Sequence, residues 1–319
     1  MSKTLGEFEQ IAQLMAPLAE KAKGAFALKD DGAVFSHRID QEIVVTTDTL
    51  IAGVHFFATD DPFDIAVKLL AVNLSDLAAM GACPLHYTLN ASYPQNITND
   101  WISTFAKGLA HMQERFGISL LGGDTTKTPG PLTLSLSAFG LVKKSTALRR
   151  NGAGEGDLIC VSGTIGDGAL GLKVAKGDLE DTSGYLLSRY LRPSPRIALG
   201  QSLIGLATAC MDISDGLLGD FNHLGCGGII HMDKIPLSAQ ARQILDKDSE
   251  QIFTILNGGD DYELLFCIDE KSRPVLEDIA HACETDIAVI GRITKDSDLS
   301  LLQPDGTTMS TIPSGYRHF

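Results

Sequence analysis

Six elements built around aspartate carry the chemistry this sequence can offer: Asp30-Asp31-Gly32, Thr46-Thr47-Asp48-Thr49, Asn73-Leu74-Ser75-Asp76, Gly122-Gly123-Asp124-Thr125, Asp212-Ile213-Ser214-Asp215-Gly216 and Gly258-Gly259-Asp260-Asp261. Surface carboxylates usually scatter along helix faces beside Lys or Arg. These sit among Gly, Ser and Thr, between apolar segments, with Lys29 the one adjacent base. A lone Asp-Gly is a turn signal; a set of six reads as a ligand set if the fold brings it together. Like charges about 4 Å apart then repel by about 4 kcal/mol per pair at an effective dielectric near 20, which a hard cation relieves. Carboxylates and hydroxyls without a His/Cys cluster select Mg²⁺ over Zn²⁺, and Mg²⁺ so held completes its shell with water and substrate phosphates.

Other devices for holding nucleotides are missing or incomplete. The dipeptide Gly-Lys does not occur, which excludes a P-loop, and the protein-kinase motif set is absent. Gly166-Asp167-Gly168-Ala169-Leu170-Gly171 has the form of a dinucleotide fingerprint between a strand and a helix. Such a unit needs a carboxylate about 20 residues on. Tyr185-Leu186-Leu187-Ser188-Arg189-Tyr190 offers none, so a tight strand-to-helix turn is the better reading.

The elements that must position these residues are those of a globular α/β chain. Its 319 residues suggest two domains. With 44% hydrophobic and 21% charged residues it is neither disordered nor fibrous. A net charge of −14 argues against a nucleic-acid partner, yet allows a polyphosphate held through metal ions. There is no apolar leader-like run at Met1–Glu7 and no stretch of 18 apolar residues, so no membrane partner is expected. The six cysteines are scattered and read as reduced core residues, which points to the cytoplasm.

Periodicity predicts a helix over 8–18, a strand over 41–48, a helix from Pro62 to Ala82, a strand over 85–93 and a helix over 99–116. Strands follow at 118–121 and 132–142. The Lys, Arg, Asn and Gly content of 143–156 marks a boundary, giving domains 1–145 and 146–319. Beyond it come a strand over 158–162, a helix, the Arg192-Pro193-Ser194-Pro195 break and a helix over 195–208. Strands at 228–232, 262–268 and 287–293 then alternate with helices at 238–245 and 274–283. Strands and helices alternating in both halves predict α/β or α+β layers.

Several of these segments together resemble the thiamine-monophosphate kinases. The most specific are Thr46 to Phe56 (TTDTLIAGVHF), Ala71 to Gly81 (AVNLSDLAAMG), Leu121 to Thr125 (LGGDT), Leu191 to Arg196 (LRPSPR), Asp212 to Leu217 (DISDGL) and Gly258 to Leu264 (GGDDYEL), and the likeness spans nearly the whole chain. The resemblance implies the two-domain fold shared with aminoimidazole ribonucleotide synthetase and selenophosphate synthetase, with an N-terminal mixed-sheet domain that binds ATP and Mg²⁺ and pairs as a homodimer. A C-terminal α/β domain completes the nucleotide and substrate site. It implies transfer of the ATP γ-phosphate to thiamine monophosphate. By position, Asp31, Thr46, Thr47, Asp48, Asp76, Asp124, Asp212 and Asp215 fall on ligands of several Mg²⁺ ions. Gly123, Asp124, Arg150 and Ser214 fall on nucleotide contacts, and His55, Asp260 and Tyr316 on substrate contacts.

Each transferred role has a plainer counterpart. His55, between Val54 and Phe56, also suits a core histidine; Tyr316 a pin for the C-terminus; Arg150 a solvated charge; Trp101 simple packing. The chain departs from the family pattern in three places. Ala27-Leu28-Lys29-Asp30-Asp31 replaces Gly-x-Gly-Asp-Asp, Asp260 stands where Glu is common, and 221–228 is short. No motif supplies an activated nucleophile or side-chain base. None is needed, because a phosphate-monoester acceptor is largely dianionic at neutral pH, and direct in-line transfer is expected. The competing functions are another ATP-dependent enzyme of the same superfamily acting on a different small molecule, and a nucleotide sensor without turnover.

Overall fold

The computed structural model describes residues 7–28, 35 and 37–309. The chain divides into two compact units, residues 1–77 with 83–145, and residues 78–82 with 146–319. Both are α/β, each built on one sheet.

The first unit opens on irregular helix. The single helix expected over 8–18 is instead a short α turn, α1 (Glu7–Gln10), a π turn (Ile11–Met15) and a 3₁₀ turn (Ala16–Ala19). Pro17 has no N–H to continue an α ladder, so the apolar stripe survives while the hydrogen-bond pattern changes. The four-stranded sheet has the order β1-β4-β2-β3, with β1 (Gln41–Ile51), β2 (Cys83–Tyr93), β3 (Ser119–Lys127) and β4 (Thr133–Lys143). β4 is antiparallel to β1 and β2, whereas β2 and β3 run parallel. A parallel pair needs a crossover, and α3 (Asn99–Phe116) is that connection. Thr98 caps it by accepting from the Trp101 N–H, and Gly117 closes it in the left-handed region at φ +68°. Trp101 stacks on Phe105 at 5.2 Å between centroids and meets Tyr93 edge-on, so it packs. Helix α2 (Pro62–Ala79) is apolar nearly all round, with Leu69, Leu70, Leu74 and Leu77 fully buried. It stops short of the expected Ala82, and Gly81 takes φ +70°.

The second unit is built on a seven-stranded sheet in the order β11-β10-β7-β9-β5-β8-β6. In chain order its elements are β5 (Leu158–Ser162), α4 (Asp167–Lys176), α5 (Tyr185–Leu191), α6 (Ile197–Ser202), β6 (Ala207–Asp212), α7 (Leu217–Phe221) and β7 (Gly228–His231). They continue as α8 (Ala239–Lys247), α9 (Gln251–Asn257), β8 (Leu264–Ile268), α10 (Leu276–Ala282), β9 (Ile287–Ile293), β10 (Leu299–Leu302) and β11 (Thr308–Met309). β5 lies antiparallel between β8 and β9, and all of β5 and β8 is buried. The helix expected over 195–208 is only α6, because the chain turns at Gly205 (φ +77°) and enters the unanticipated strand β6. β8 starts at Leu264 and not Tyr262, since Asp260 and Tyr262 hold positive φ of 69° and 52°. Helix α9 and strands β10 and β11 were not foreseen.

Cys160, Cys210 and Cys267 are buried and Cys226 and Cys283 half-buried, but Cys83 is exposed against expectation. Among the described residues no helix is long and apolar enough to cross a membrane.

Candidate functional site

Among the described residues of the first unit, Asp48, Asp76 and Asp124 lie inside regular structure and not at strand ends. Asp48 sits within β1 opposite Leu136 of β4. Side chains alternate along a strand, so Thr46 and Asp48 share one face and Thr47 and Thr49 the other. The Thr46 hydroxyl donates to Asp76 Oδ2, which ties β1 to α2. Burial, and then the charge of Asp76, push the Asp48 carboxyl up to about 7. Thr46, Asp48 and Asp76 therefore converge. Thr47 faces away: its hydroxyl donates to the Leu136 carbonyl at 3.1 Å and accepts from Ser137.

Asp124 is exposed on β3, beside Asn90 of β2 in the parallel register. Gly123 is fixed by packing, since a Cβ there would lie 1.8 Å from the Leu89 carbonyl oxygen. His55 is half-buried in the turn after β1. Its Nδ1 accepts the Ile51 N–H at 3.0 Å, and buried Lys68 donates to its carbonyl at 3.2 Å. The ring is thus oriented by its own turn.

In the second unit Asp212 ends β6, nearly buried, and Ser214 and Asp215 are half-exposed on the loop beyond. The Asp260 N–H donates to the Ser214 carbonyl, the Tyr262 N–H to Ile213, and the Ile213 N–H to Glu263. These bonds bring Asp212, Ser214, Asp215 and Asp260 together. Arg150 is exposed, on the segment whose Arg149 carbonyl accepts from Cys210 of β6. Asp31 and Tyr316 lie outside the described residues, as do Lys29 and Asp30.

The residues that hold this loop pair are ones that sequence reasoning left without a role. One oxygen of Asp220, Oδ2, accepts the N–H groups of Ser214, Asp215 and Gly216 at 3.0, 2.9 and 3.1 Å. Burial pushes this carboxyl up to about 7, and the amides pull it back. Fully buried Glu263 takes Arg196 through Nε at 2.6 Å and Nη2 at 2.5 Å, Arg189 at 2.8 Å and the Ser162 hydroxyl at 2.5 Å. Asp261 accepts the Gly166 and Gly168 N–H groups at 2.7 and 2.9 Å; burial pushes its carboxyl up to about 8 against those bonds and Arg189. The signal for this network lay in the sequence, as acidic and arginine positions inside the quoted segments 191–196 and 258–264 and at Asp220.

These contacts settle the 166–171 turn. Its first amides are taken by Asp261, and a Cβ at Gly168 or Gly171 would lie 2.2 or 2.1 Å from the carbonyl oxygens of Asp260 or Leu186. The glycines serve close packing, and a carboxylate of the chain occupies the place a phosphate would take.

Among the described residues no group of three or more His, Cys, Asp or Glu side chains stands ready to hold a metal ion. The donors are nevertheless the right kind for Mg²⁺: a half-buried carboxylate raised by desolvation and then by its neighbour's charge, with a threonine hydroxyl beside them.

Two sequence families, AIR synthase related protein N-terminal domain and AIR synthase related protein C-terminal domain, match residues 29–142 and 154–302. The fold and site thus define a protein of the AIR synthase related class. The thiamine-monophosphate kinase of Caulobacter vibrioides is 39% identical over 301 residues, covering 92% of this chain and 86% of its own. The crystal structure of the thiamine-monophosphate kinase from Stenotrophomonas maltophilia K279a is 39% identical, covers 96% of this chain and 99% of its own, and superposes with a TM-score of 0.85. A structure of AaThiL complexed with AMPPCP and TMP is 30% identical, covers 99% and 97%, and has a TM-score of 0.78. The chain belongs to the thiamine-monophosphate kinase family.

Proposed function

We propose that this protein is an ATP-dependent phosphotransferase that moves the γ-phosphate of ATP onto the phosphate of thiamine monophosphate, giving thiamine diphosphate and ADP. The observation that carries the reading is the joining of Thr46, Asp48 and Asp76 across β1 and α2, in a chain of this family. The first domain, 1–145, holds Mg²⁺ and the ATP phosphates through Asp31, Thr46, Asp48, Asp76 and Asp124, with Gly123 beside the nucleotide, and also forms the homodimer; Thr47, expected among these ligands, is turned to the other face of β1 and bonded to β4. The second, 146–319, supplies Asp212 and Asp215 to metal, Ser214 and Arg150 to the nucleotide, and Asp260 and Tyr316 to the substrate, which His55 of the first domain also contacts. The cell compartment of this reading is the cytoplasm.

Bound Mg²⁺ supplies neutralisation of phosphate oxygens that would otherwise repel one another. The chain's own part is placement. Thr46 fixes Asp76 by a hydrogen bond, the sheet fixes Asp48 by its register, and the Ile51 N–H fixes the His55 ring. The acceptor attacks without losing a proton, so the site works without a side-chain base. Purified protein incubated with ATP, Mg²⁺ and thiamine monophosphate should yield thiamine diphosphate and ADP in equal amounts, and a chelator should stop the reaction. ADP release with a different acceptor, and no thiamine diphosphate, would move the function to a superfamily relative.

A further inference from the structure

Three consecutive amides, those of Ser214, Asp215 and Gly216, point at one oxygen of Asp220. Successive amides turned inward form a concavity that binds anions. In a kinase such a concavity would ordinarily be offered to phosphate; here a buried side chain of the same chain fills it. The loop is gripped from its other side as well. Ser214 and Ile213 accept N–H groups from Asp260 and Tyr262, and Gly216, at φ +115°, lies so close to Asn257 that a Cβ would come within 2.6 Å of its backbone. With its amides engaged inward, the loop presents Ser214 and Asp215, both half-exposed, while their neighbour Asp212 is buried.

We propose that Asp220 is a positioning residue for the nucleotide: by drawing the 214–216 amides onto itself, it sets the loop so that ATP with its metal is met by the side chains of Ser214 and Asp215 and not by backbone N–H groups. The inference rests on the kinase reading above and adds to it a residue that touches neither substrate. A single oxygen takes all three bonds, so the amide oxygen of Asn can replace it, whereas Ala leaves three donors unpaired and Glu displaces the acceptor by a methylene.

The test compares wild type with D220A, D220N, D220E and, as a control, D181A. Asp181 caps the start of α5 through Ser183 and Leu186 and belongs to no predicted site. Binding of AMPPCP with Mg²⁺ is measured by calorimetry, steady-state rates with each substrate varied, and folding by thermal melts. D220A should weaken AMPPCP binding and raise the KM for ATP about tenfold, with the KM for thiamine monophosphate within about twofold of wild type. D220N should restore most of that loss. D181A should lower the melting temperature and leave AMPPCP affinity where it was. A folded D220A with wild-type AMPPCP affinity, or a D220N as impaired as D220A, overturns the proposal. If D220A does not fold, D220E decides: weakened AMPPCP binding supports the proposal and wild-type binding overturns it. Wild type that makes no thiamine diphosphate sinks the kinase reading instead, and AMPPCP binding still tests the loop.

Discussion

Asp48 in the first unit and Asp220 in the second are the same side chain with the same displacement: burial pushes each up to about 7. Each also lies near a second carboxylate, Asp76 for Asp48 and Asp215 for Asp220, but their hydrogen-bond partners differ. Asp220 receives three backbone N–H groups on one oxygen, while Asp48 meets the negative charge of Asp76. Glu263 and Asp261 extend the contrast, the first held by two arginines and a serine, the second by two amides and the charge of Arg189, which stand against the charge of Asp167. A buried carboxylate whose charge the chain itself compensates is a brace. One set against a second carboxylate needs compensation from outside, and that is what a ligand site offers. The residue type says nothing here; the partners decide.

That distinction can be broken by exchanging charge for a neutral isostere on each side. Glu263→Gln should be the costliest change, because it removes the carboxylate that half-buried Arg189 and Arg196 share and leaves Arg189 with Asp167 at 4.0 Å. A loss of about 3–5 kcal/mol in urea unfolding is expected, and a loss below about 1 kcal/mol would mean that Glu263 is no brace. Asp48→Asn should do the reverse. It should cost a hundredfold to a thousandfold in turnover, roughly 3–4 kcal/mol of barrier, while the melting temperature in chelator stays level or rises because a repulsion is removed. A fall in both would place Asp48 with the braces.

The smallest effect concerns a cation and has its own sign. His86 accepts or donates one bond with Ser119 at 3.0 Å, and burial lowers its pKa below 6.5. The unfolded chain therefore binds the proton more readily than the native one, so stability is full above about pH 6.5 and falls as pH drops towards the lowered native value. In H86N this acid slope should flatten by less than about 1 kcal/mol, as followed by melts between pH 7 and 5. An unchanged slope would assign it to other groups.

Much of this was legible in the sequence, for reasons that differ by element. α3 was read closely because Gly117 is a strong stop after the helix. β5 and β9 were read because short apolar runs between turns fit only strands in this context. The helix predicted over 195–208 ran on into the start of β6 because Leu203-Ile204-Gly205-Leu206 is apolar at either period, and the rest of β6 was not assigned; the positive φ at Gly205 separates helix from strand. In the site, the aspartates were visible as a set, but Asp48 and Asp124 looked like strand ends when both lie within strands. The braces Asp220 and Asp261 were less visible still, because a carboxylate that accepts backbone amides leaves no fixed partner residue in the sequence.

The order of the larger sheet also sets a timetable for synthesis. The four strands of the first unit are all made by Lys143. β5 pairs with β8 and β9, so Cys160 must wait for Phe266 and Val289. At about 5–20 residues per second, β5 spends roughly 5–20 seconds as a nascent apolar strand without either neighbour. During that interval Leu158-Ile159-Cys160-Val161-Ser162 is the segment most open to pairing with another chain, and slowing elongation beyond it should lower the yield of folded protein even though every residue of the finished molecule is unchanged.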